Sequence, residues 1–318
     1  MSKKVVLITG AGGQIGTELS ASLATMGYLV IATDIRPLSF NFSTDITFET
    51  LNILELDQLR HLIQKHKVNQ IYHLAAVLSA TGEQFPKKAW DININGLLSV
   101  LDVAVEMNIE RVFYPSTIAV FGTTTPAIQT PQYTITEPST VYGISKLAGE
   151  RWCEYYNQKH GLDVRSLRYP GLISYKTKAG GGTTDYAVDI FFEAIQKGSY
   201  TCFLEESTRL PMMYMDDAIR GTIELMDANK ESLTVKSSYN FSSLSFTPAE
   251  LADAISKFLP NFAIKYKPDF RQQIATTWPQ SIDDAIARKD WGWKHEFELE
   301  NMVKDMIANI KTMQPISC

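Results

Sequence analysis

The sequence predicts an α/β fold in which a parallel sheet is covered by helices on both faces. Short apolar runs typical of strands alternate with amphipathic runs typical of helices through the first half of the 318-residue chain. Their spacing is that of successive βαβ units, and such units build a parallel sheet. Composition agrees, because 45% hydrophobic residues suffice for one large or two modest domains around a buried core.

The predicted elements follow one another at short intervals. In the first half they are the strand Val5 to Ile8, the helix Gln14 to Met26, the strand Leu29 to Thr33, the strand Thr50 to Leu54, the helix Leu56 to His66, the strand Gln70 to Leu74, the helix Asn93 to Met107, the strand Arg111 to Tyr114 and the helix Tyr142 to His160. In the second half they are the helix Asp185 to Lys197, the helix Asp216 to Asp227, the strand Ser238 to Ser242, the helix Pro248 to Leu259, the strand Ala263 to Lys267 and the helix Leu299 to Thr312.

No repeat, low-complexity tract or linker interrupts these elements, which favours two lobes that share one cleft over independent domains. We expect a larger domain formed by residues 1–171 and rejoined by about 211–243. Residues 172–210 and 244–318 are then expected to form a smaller C-terminal lobe.

The stretch VVLITGAGGQIG near the start of the chain predicts a dinucleotide site on a Rossmann-type sheet. Apolar residues lead into a glycine turn that opens a helix, and Gly10, Gly13 and Gly16 are spaced three apart. Glycines at this spacing let the backbone turn sharply, approach a pyrophosphate and pack the helix on its strand. The start of the helix, with Gln14 and Ile15, offers N–H groups to the phosphates.

An acid at the end of the second strand indicates which dinucleotide is bound. Asp34 follows Gly16 by eighteen residues, where an acid accepts hydrogen bonds from the adenosine ribose hydroxyls. It would repel the extra phosphate of NADP, so the predicted cofactor is NAD. Arg36 could pair with that phosphate, which leaves NADP as an alternative. An ordinary structural turn is the other interpretation of the glycines.

Further cofactor contacts are expected where other strands end, since ligands of such sheets lie at the carboxyl ends of the strands. Asn52 and Ile53 belong to the predicted third strand, near the adenine edge. HLAA ends a later strand in small residues, which lets the backbone pass beneath a flat ligand. The other predicted cofactor contacts are Leu74, Ala75, Ala76, Asn93, Tyr142, Lys146, Pro170 and Leu172.

Tyr142 and Lys146 are four residues apart on a predicted helix, which places both side chains on one face. A positive charge beside a phenol stabilises the phenolate. The pair therefore predicts a tyrosine whose pKa is lowered from about 10 towards the working pH, as a general base requires. An ordinary exposed pair is the alternative. Ser116 and Thr117 end the preceding strand, where a turn or a cap would also account for two hydroxyls.

Together, TGxxGxxG, the strand-end acid, HLAA, the Ser-Thr pair and YxxxK resemble the extended short-chain dehydrogenase/reductase family, its epimerase/dehydratase branch, over essentially the whole chain. The resemblance implies that Thr117 hydrogen-bonds the reacting hydroxyl, Tyr142 exchanges its proton and Lys146 holds the nicotinamide ribose. It implies that the smaller lobe caps the substrate. It also implies a homodimer in which the helices Asn93 to Met107 and Tyr142 to His160 pack across a twofold axis.

The second half is similar to one group within that family. PGLIS, GGGTTDYAV and LPMMYMDD resemble the short-chain type of L-threonine 3-dehydrogenases. This resemblance implies NAD-dependent oxidation of the L-threonine β-hydroxyl to 2-amino-3-oxobutanoate. A sugar-nucleotide epimerase or dehydratase is opposed by these segments. A non-catalytic dinucleotide-sensing protein is opposed by the intact Thr117, Tyr142 and Lys146.

The residues of GGGTTDYAV themselves predict a site for a small anion. Gly180 to Gly182 form a loop, and Thr184 is a candidate N-cap of a helix whose start could receive a carboxylate. Thr183 is the neighbouring candidate, and a surface loop with an ordinary cap is the alternative. The other predicted substrate contacts are Ser79 as a second hydroxyl donor, Ser116, Thr117, Tyr142, Gly182, and Trp278 as a pocket wall.

Charge and composition disfavour other partners. The net charge is −5 and no basic run exceeds two residues, which argues against nucleic acid or an acidic membrane. The five histidines lack metal-ligand spacing, so no metal is predicted. Cys153, Cys202 and Cys318 form no CxxC pair, which suits a reducing compartment. With no room for a signal peptide before Val5, the expected location is the cytoplasm.

Overall fold

The protein is described by a computed structural model covering residues 3–37, 44–176 and 182–313. Gly180, most of the predicted glycine loop and Cys318 lie outside the described residues. The described chain forms two compact units. Within the described ranges, the first comprises the residues up to Val120 with Pro138–Arg168 and Ile219–Tyr239, and the second comprises Phe121–Glu137, the residues from Tyr169 to Ala218 and those from Asn240 onwards.

Strands and helices alternate along the first half, as the apolar pattern predicts. The strands are β1 (Val5–Thr9), β2 (Leu29–Asp34), β3 (Ile46–Thr50), β4 (Gln70–His73), β5 (Arg111–Thr117), β6 (Val164–Tyr169), β7 (Gly171–Ile173), β8 (Ser199–Cys202), β9 (Leu210–Tyr214), β10 (Tyr239–Asn240), β11 (Leu244–Phe246) and β12 (Ala263–Tyr266). The α-helices are α1 (Gln14–Thr25), α2 (Leu56–His66), α3 (Ser79–Gln84), α4 (Pro86–Trp90), α5 (Gly96–Glu106), α6 (Val141–His160), α7 (Tyr186–Lys197), α8 (Met215–Asp227), α9 (Pro248–Ser256), α10 (Phe270–Ala275), α11 (Ala285–Trp291) and α12 (Leu299–Met313).

The first unit is built on a sheet with the strand order β10-β6-β5-β4-β1-β2-β3. The pairings of β1 with β2 and β4, of β2 with β3 and of β4 with β5 are all parallel. Because β2 lies on one side of β1 and β4 on the other, the sheet is doubly wound and its direction of winding changes between β1 and β4. The predicted Rossmann-type α/β fold is confirmed.

One apolar core joins this sheet to the helices on one of its faces. It includes Leu7 of β1, Leu62 of α2, Val100 of α5 and Cys153 of α6, all of them buried. Each such aliphatic side chain stabilises the fold by about 1.5 to 3 kcal/mol when it leaves water. The continuous apolar runs of the sequence are explained by strands that are covered on both faces.

The second unit has its own small sheets and its own core. β9 pairs in parallel with β7 and antiparallel with β11, and β8 pairs in parallel with β12. Phe191 of α7, Leu251 of α9 and Met306 of α12 are buried in its core. The strand β9 explains why residues 211–218 belong to this unit, whereas the sequence division places them in the larger domain.

Residues 121–137 also belong to the second unit, against the predicted division. Their attachment is local: the side-chain amide of Asn240 donates to the carbonyl oxygens of Thr130, at 2.9 Å, and Asp283, at 3.0 Å. Thr130 also forms a β-bridge with Ile282. These contacts join segments that are far apart in sequence, so the local pattern carries no sign of them.

Among the predicted elements the third strand is the most misplaced, while β6, β7, β8, β9 and β11 lie where no strand is predicted. The third strand runs over Ile46–Thr50 rather than Thr50 to Leu54. No residue of ITFET is fully buried, as expected of the strand at the edge of the sheet, while Leu51 and Ile53 are apolar because they are buried just beyond the strand end. A π-helical turn, Asp91–Asn95, also precedes α5 where one continuous helix was predicted.

Within the described ranges, no helix is both long and apolar enough to cross a membrane.

Candidate active site

The glycine turn between β1 and α1 is too compact for other residues. Gly10 has φ +68°, and a Cβ placed there would lie 2.7 Å from the backbone nitrogen of Ala75. A Cβ on Gly16 would lie 2.6 Å from the carbonyl oxygen of Gly10. Both obstacles are backbone atoms that cannot move aside. The turn therefore presents bare backbone, and the N-cap residue Gly13 places no side chain over the helix start at Gln14.

Asp34, at the end of β2, lies beside this turn. Its carboxylate accepts hydrogen bonds from the backbone nitrogens of Gly12, at 3.1 Å, and Arg36, at 3.3 Å. The strand-end acid and the glycine turn are thus one local unit, as a dinucleotide site requires. Arg36 is exposed.

The ends of β1 and β4 are joined by a buried hydroxyl. Thr9 Oγ1 accepts from the backbone nitrogen of Ala75, at 3.3 Å, and lies 2.9 Å from His73 Nδ1. The Thr9 hydroxyl and the His73 imidazole are therefore hydrogen-bonded, in the direction that the imidazole tautomer sets. Burial, followed by the charge of Lys146, lowers the pKa of His73 to about 3. This bonding holds Leu74 and Ala75 against the glycine turn.

Asn93 holds the segment that follows Ala76. Its side-chain oxygen accepts from the backbone nitrogen of Val77, at 2.7 Å, and its amide nitrogen donates to Val77 O and to Ser145 Oγ, both at 3.0 Å. Both amide protons are used in this way. Asn93 thus connects the end of β4 to α6, and the structure gives this predicted cofactor contact a positioning role.

The other predicted cofactor contacts are spread over the two units. Asn52 and Ile53 follow the carboxyl end of β3, where the Asn52 side chain accepts from Leu54 N at 3.2 Å and Ile53 is buried. Ile15 lies half-buried at the start of α1. Pro170 and Leu172 belong to the second unit, before and within β7.

Helix α6 begins one residue before Tyr142, at a well-capped start. Thr140 Oγ1 accepts from the backbone nitrogen of Gly143, at 3.0 Å. Glu83 Oε1 accepts from the backbone nitrogen of Val141, at 2.7 Å. Glu83 belongs to α3, the short helix that begins at the half-exposed Ser79. These bonds satisfy N–H groups that a helix start otherwise leaves unpaired, and they attach α3 to the helix of Tyr142.

Tyr142 and Thr117 are hydrogen-bonded through their hydroxyl groups, and this bond lowers the pKa of Tyr142. Burial has the larger and opposite effect, so the pKa of Tyr142 is raised to about 12. The lowered pKa predicted from the YxxxK spacing is therefore wrong. The spacing predicts which face the side chains share, but it does not predict how deeply the phenol is buried.

Lys146 is buried and is held by the strand beneath it. Its ammonium donates to the carbonyl oxygen of Pro115, at 2.8 Å, and lies 4.6 Å from the centre of the Tyr114 ring. The ammonium is 5.8 Å from the centre of the Tyr142 ring. Burial lowers the pKa of Lys146 to about 8, so the side chain is mostly charged at neutral pH.

Ser116 and Thr117 point in opposite directions, as successive residues of a strand do. Ser116 is 2% exposed and donates to Glu150 Oε1, at 2.6 Å. Glu150 also accepts from Arg168 Nε, at 2.9 Å, and from the terminal guanidinium, at 2.7 Å. The structure thus turns Ser116 into the protein interior and leaves Thr117 as the member of the pair that meets Tyr142.

The predicted substrate contacts Gly182, Thr183, Thr184 and Trp278 all belong to the second unit. Thr184 is not the N-cap: α7 begins at Tyr186, the N-cap residue is Asp185, and the Asp185 carboxylate accepts from Gly182 N at 2.6 Å. Thr183 is buried and Thr184 is half-buried. Trp278 is partly buried and packs against the core of this unit.

Several residues of this arrangement are not among the site residues predicted from the sequence. Glu150 is four residues beyond Lys146 on α6, a spacing that alone suggests the same face. Arg168, Glu83 and Thr9 are connected to the site only through the tertiary structure. In the part of the chain that the structure describes, no group of three or more His, Cys, Asp or Glu side chains could hold a metal ion.

A doubly wound sheet with a bare glycine turn beside a strand-end acid defines a dinucleotide-binding enzyme fold, and Thr117, Tyr142 and Lys146 lie at the carboxyl side of the same sheet. The chain belongs to the NAD dependent epimerase/dehydratase family, whose model matches residues 6–240.

Relatives match almost the whole chain. A GalE-like L-threonine dehydrogenase from Cupriavidus necator, in its holo form, is 54% identical, with a TM-score of 0.94 over 98% of this chain and 100% of that chain. A monomeric L-threonine 3-dehydrogenase from a metagenome, in its apo form, is 48% identical, with a TM-score of 0.93 over 97% of this chain and 99% of that one. An uncharacterized epimerase/dehydratase of Staphylococcus aureus (strain USA300) is 44% identical over 97% of both chains.

Proposed function

We propose that this chain is an NAD-dependent L-threonine 3-dehydrogenase, which oxidises the β-hydroxyl of L-threonine to 2-amino-3-oxobutanoate. The observation that carries the proposal is the hydroxyl pair of Thr117 and Tyr142 beside the buried Lys146. Similarity over nearly the full length to threonine dehydrogenases of known structure supports the choice of substrate.

The residues present fit NAD. Gly10 and Gly16 leave room that any Cβ would fill, and the Asp34 carboxylate lies at the same turn. Gly10, Gly13 and the start of α1 would hold the pyrophosphate, Asp34 the adenosine ribose and Lys146 the nicotinamide ribose. When bound, the oxidised nicotinamide would supply the acceptor for the hydride that leaves the substrate carbon.

The chain itself supplies the proton chemistry. Tyr142, as phenolate, would take the proton of the substrate β-hydroxyl, while the Thr117 hydroxyl would hold the same oxygen. A phenol with a pKa near 12 is protonated at neutral pH, so its ionisation has to be assisted. The Thr117 hydrogen bond and the Lys146 charge both favour the phenolate.

The amino-acid part of the substrate needs a partner for its carboxylate. Ser79 at the start of α3 and Thr183 or Thr184 before α7 remain the proposed donors. Thr184 retains this role although it is not the N-cap, because its hydroxyl can donate without capping the helix. Trp278 is proposed as an apolar wall.

We also propose a homodimer formed through α6. The exposed face of this helix carries Ile144, Trp152 and Tyr155, which are 47%, 38% and 45% exposed. Trp152 lies eight and Tyr155 eleven residues after Ile144, spacings that place the three side chains on one face of a helix. Large apolar side chains in a row are typical of an interface. Because one relative is monomeric, the oligomeric state of this chain has to be measured, and analytical ultracentrifugation of the purified chain tests it.

The reduced, buried Cys153 and Cys202 support a cytoplasmic location.

The family name leaves sugar-nucleotide epimerisation or dehydration as the second candidate. One assay separates the two. The purified chain is mixed with NAD and then with L-threonine, L-serine or UDP-glucose; NADH absorbance reports oxidation, and chromatography of the UDP-sugar reports its conversion. We expect a sustained rise with L-threonine. No rise with L-threonine, together with conversion of the UDP-sugar, would overturn the proposal in favour of the epimerase.

A further inference from the structure

The buried cluster of Ser116, Glu150 and Arg168 lies directly behind the residues of the proposed site. The Glu150 side chain is 0% exposed and Arg168 is 5% exposed. The Glu150 carboxylate accepts one hydrogen bond from Ser116, at 2.6 Å, and two from Arg168, at 2.9 and 2.7 Å. All three residues belong to the first unit, on β5, α6 and β6.

This cluster and Lys146 attach one strand end to one helix at two successive turns. Lys146 donates to the carbonyl oxygen of Pro115, and Glu150, one turn further along α6, accepts from Ser116. Thr117 is the next residue of the strand. Its backbone position relative to α6 is therefore held by two contacts on the residues immediately before it.

Such a buried cluster is not expected to contribute much to the stability of the fold. Taking a carboxylate and a guanidinium out of water costs several kcal/mol, and replacing a buried pair by well-packed apolar side chains is often neutral or stabilising. A bidentate pair does fix direction, because the planar guanidinium and carboxylate meet in one orientation. With both Glu150 oxygens so fixed, Ser116 has one defined position.

We infer that Ser116, Glu150 and Arg168 act as positioning residues that set the Thr117 hydroxyl against the Tyr142 phenol. This inference rests on the proposed function, since Thr117 and Tyr142 are its reacting pair. It replaces the substrate contact that the sequence predicts for Ser116 with a contact inside the protein.

Ser116→Ala is the most specific variant, because it removes one buried hydroxyl and leaves the Glu150–Arg168 pair in place. Glu150→Gln is the second variant; it retains an acceptor for Ser116 but removes the charge. Asp163→Asn is the matched control. Arg165 donates to the Asp163 carboxylate at 3.0 and 2.8 Å, and this pair is also buried but lies at the amino end of β6, away from Thr117.

We expect kcat with L-threonine to fall about ten- to hundredfold in Ser116→Ala, with KM changed little, because a small misplacement of reacting groups slows the chemical step. Glu150→Gln should also lower kcat. Asp163→Asn should lower the melting temperature without lowering kcat. A kcat equal to that of the parent in Ser116→Ala would overturn the inference. If KM rises in that variant while kcat is unchanged, Ser116 contacts the substrate instead.

A readout without substrate separates this inference from the proposed function. Tyrosinate absorbance is titrated with pH in the parent and in Tyr142→Phe, and the difference reports Tyr142. We expect the same difference, measured in the Ser116→Ala background, to move to higher pH because the Thr117 hydrogen bond is weakened. If the parent does not oxidise L-threonine, the proposed function fails while this titration still decides the inference: an unmoved curve overturns it.

Discussion

The hydroxyl of Thr117 is hydrogen-bonded to the phenol oxygen of Tyr142, across the space between β5 and α6. Thr117 Oγ1 lies 3.2 Å from the backbone nitrogen of Ala119, from which it accepts. The Thr117 proton is therefore available to Tyr142. A donor that favours the ionised phenol is what a tyrosine base requires.

Replacing Tyr142 with Phe should lower turnover by about a hundredfold to ten-thousandfold, the range that acid/base groups supply. NAD affinity should be unchanged, since the ring and its packing remain. Steady-state kinetics and NAD titration measure both quantities. Tyr133→Phe is the control, because Tyr133 is an exposed tyrosine outside the proposed site and interface. Near-parental turnover in a folded Tyr142→Phe protein would contradict the assignment of the base.

Replacing Thr117 with Val should change the pH dependence of turnover as well as its size. The Thr117 bond lowers the pKa of Tyr142, so its loss leaves burial unopposed and the pKa rises. Because the phenolate is the active form, the rising limb of the kcat–pH profile should move to higher pH in Thr117→Val. A limb that stays in place would show that another group, not Tyr142, is titrating.

The parent should use NAD with higher catalytic efficiency than NADP, because the Asp34 carboxylate repels the additional phosphate. Asp34→Asn should narrow that preference, since an amide can still accept from Gly12 N but carries no charge. Kinetics with both cofactors measure the ratio. Asp45→Asn, which removes an acid paired with Lys3, is the control. Equal efficiency of the parent with both cofactors would exclude the role of Asp34.

Replacing Thr184 with Ala should lower efficiency with L-threonine about ten- to hundredfold, since one hydrogen bond to a charged group contributes about 1.5 to 3 kcal/mol. NAD affinity should barely change. Thr183→Ala is made in parallel, because the two residues are neighbouring candidates. If both variants oxidise L-threonine as well as the parent does, the carboxylate is held elsewhere, and Ser79 is the next residue to replace.

His73 should make the protein less stable in acid. Its pKa is lowered from 6.5 to about 3 in the folded chain, so below pH 6.5 the unfolded chain binds a proton that the folded chain does not. The free energy of unfolding should therefore fall as pH decreases from 6.5 towards 3, with a slope of about 1.4 kcal/mol per pH unit from this group.

The variant His73→Asn should show a shallower slope over that range, since asparagine does not titrate and can still meet the Thr9 hydroxyl. Urea unfolding at several pH values measures it. His61→Asn is the control, because His61 is exposed on α2. Parallel slopes for the parent and His73→Asn would show that the buried histidine does not contribute to acid unfolding.

Errors in the predicted elements have a common physical origin. TLNIL is apolar because Leu51 and Ile53 are buried beyond the end of the edge strand, whereas the strand itself is half polar. Thr184 has the residue type of an N-cap, yet the Asp185 carboxylate accepts from Gly182 and α7 begins one residue later than the Thr184 cap requires. In both places burial or a nearby backbone group outweighs local propensity.

The sequence by itself determined the features that depend on short spacing. The spacing of Gly10, Gly13 and Gly16 predicts the glycine turn, and the position of Asp34 at a strand end predicts that its carboxylate lies beside this turn. The four-residue spacing of Tyr142 and Lys146 predicts that they share a helix face. Backbone geometry relates such near neighbours directly. Only the tertiary structure decided that Ser116 faces Glu150 while Thr117 meets Tyr142, and that burial raises the pKa of Tyr142 to about 12. Those outcomes depend on which distant side chains share a buried site and how much water they exclude, and no local pattern carries that information.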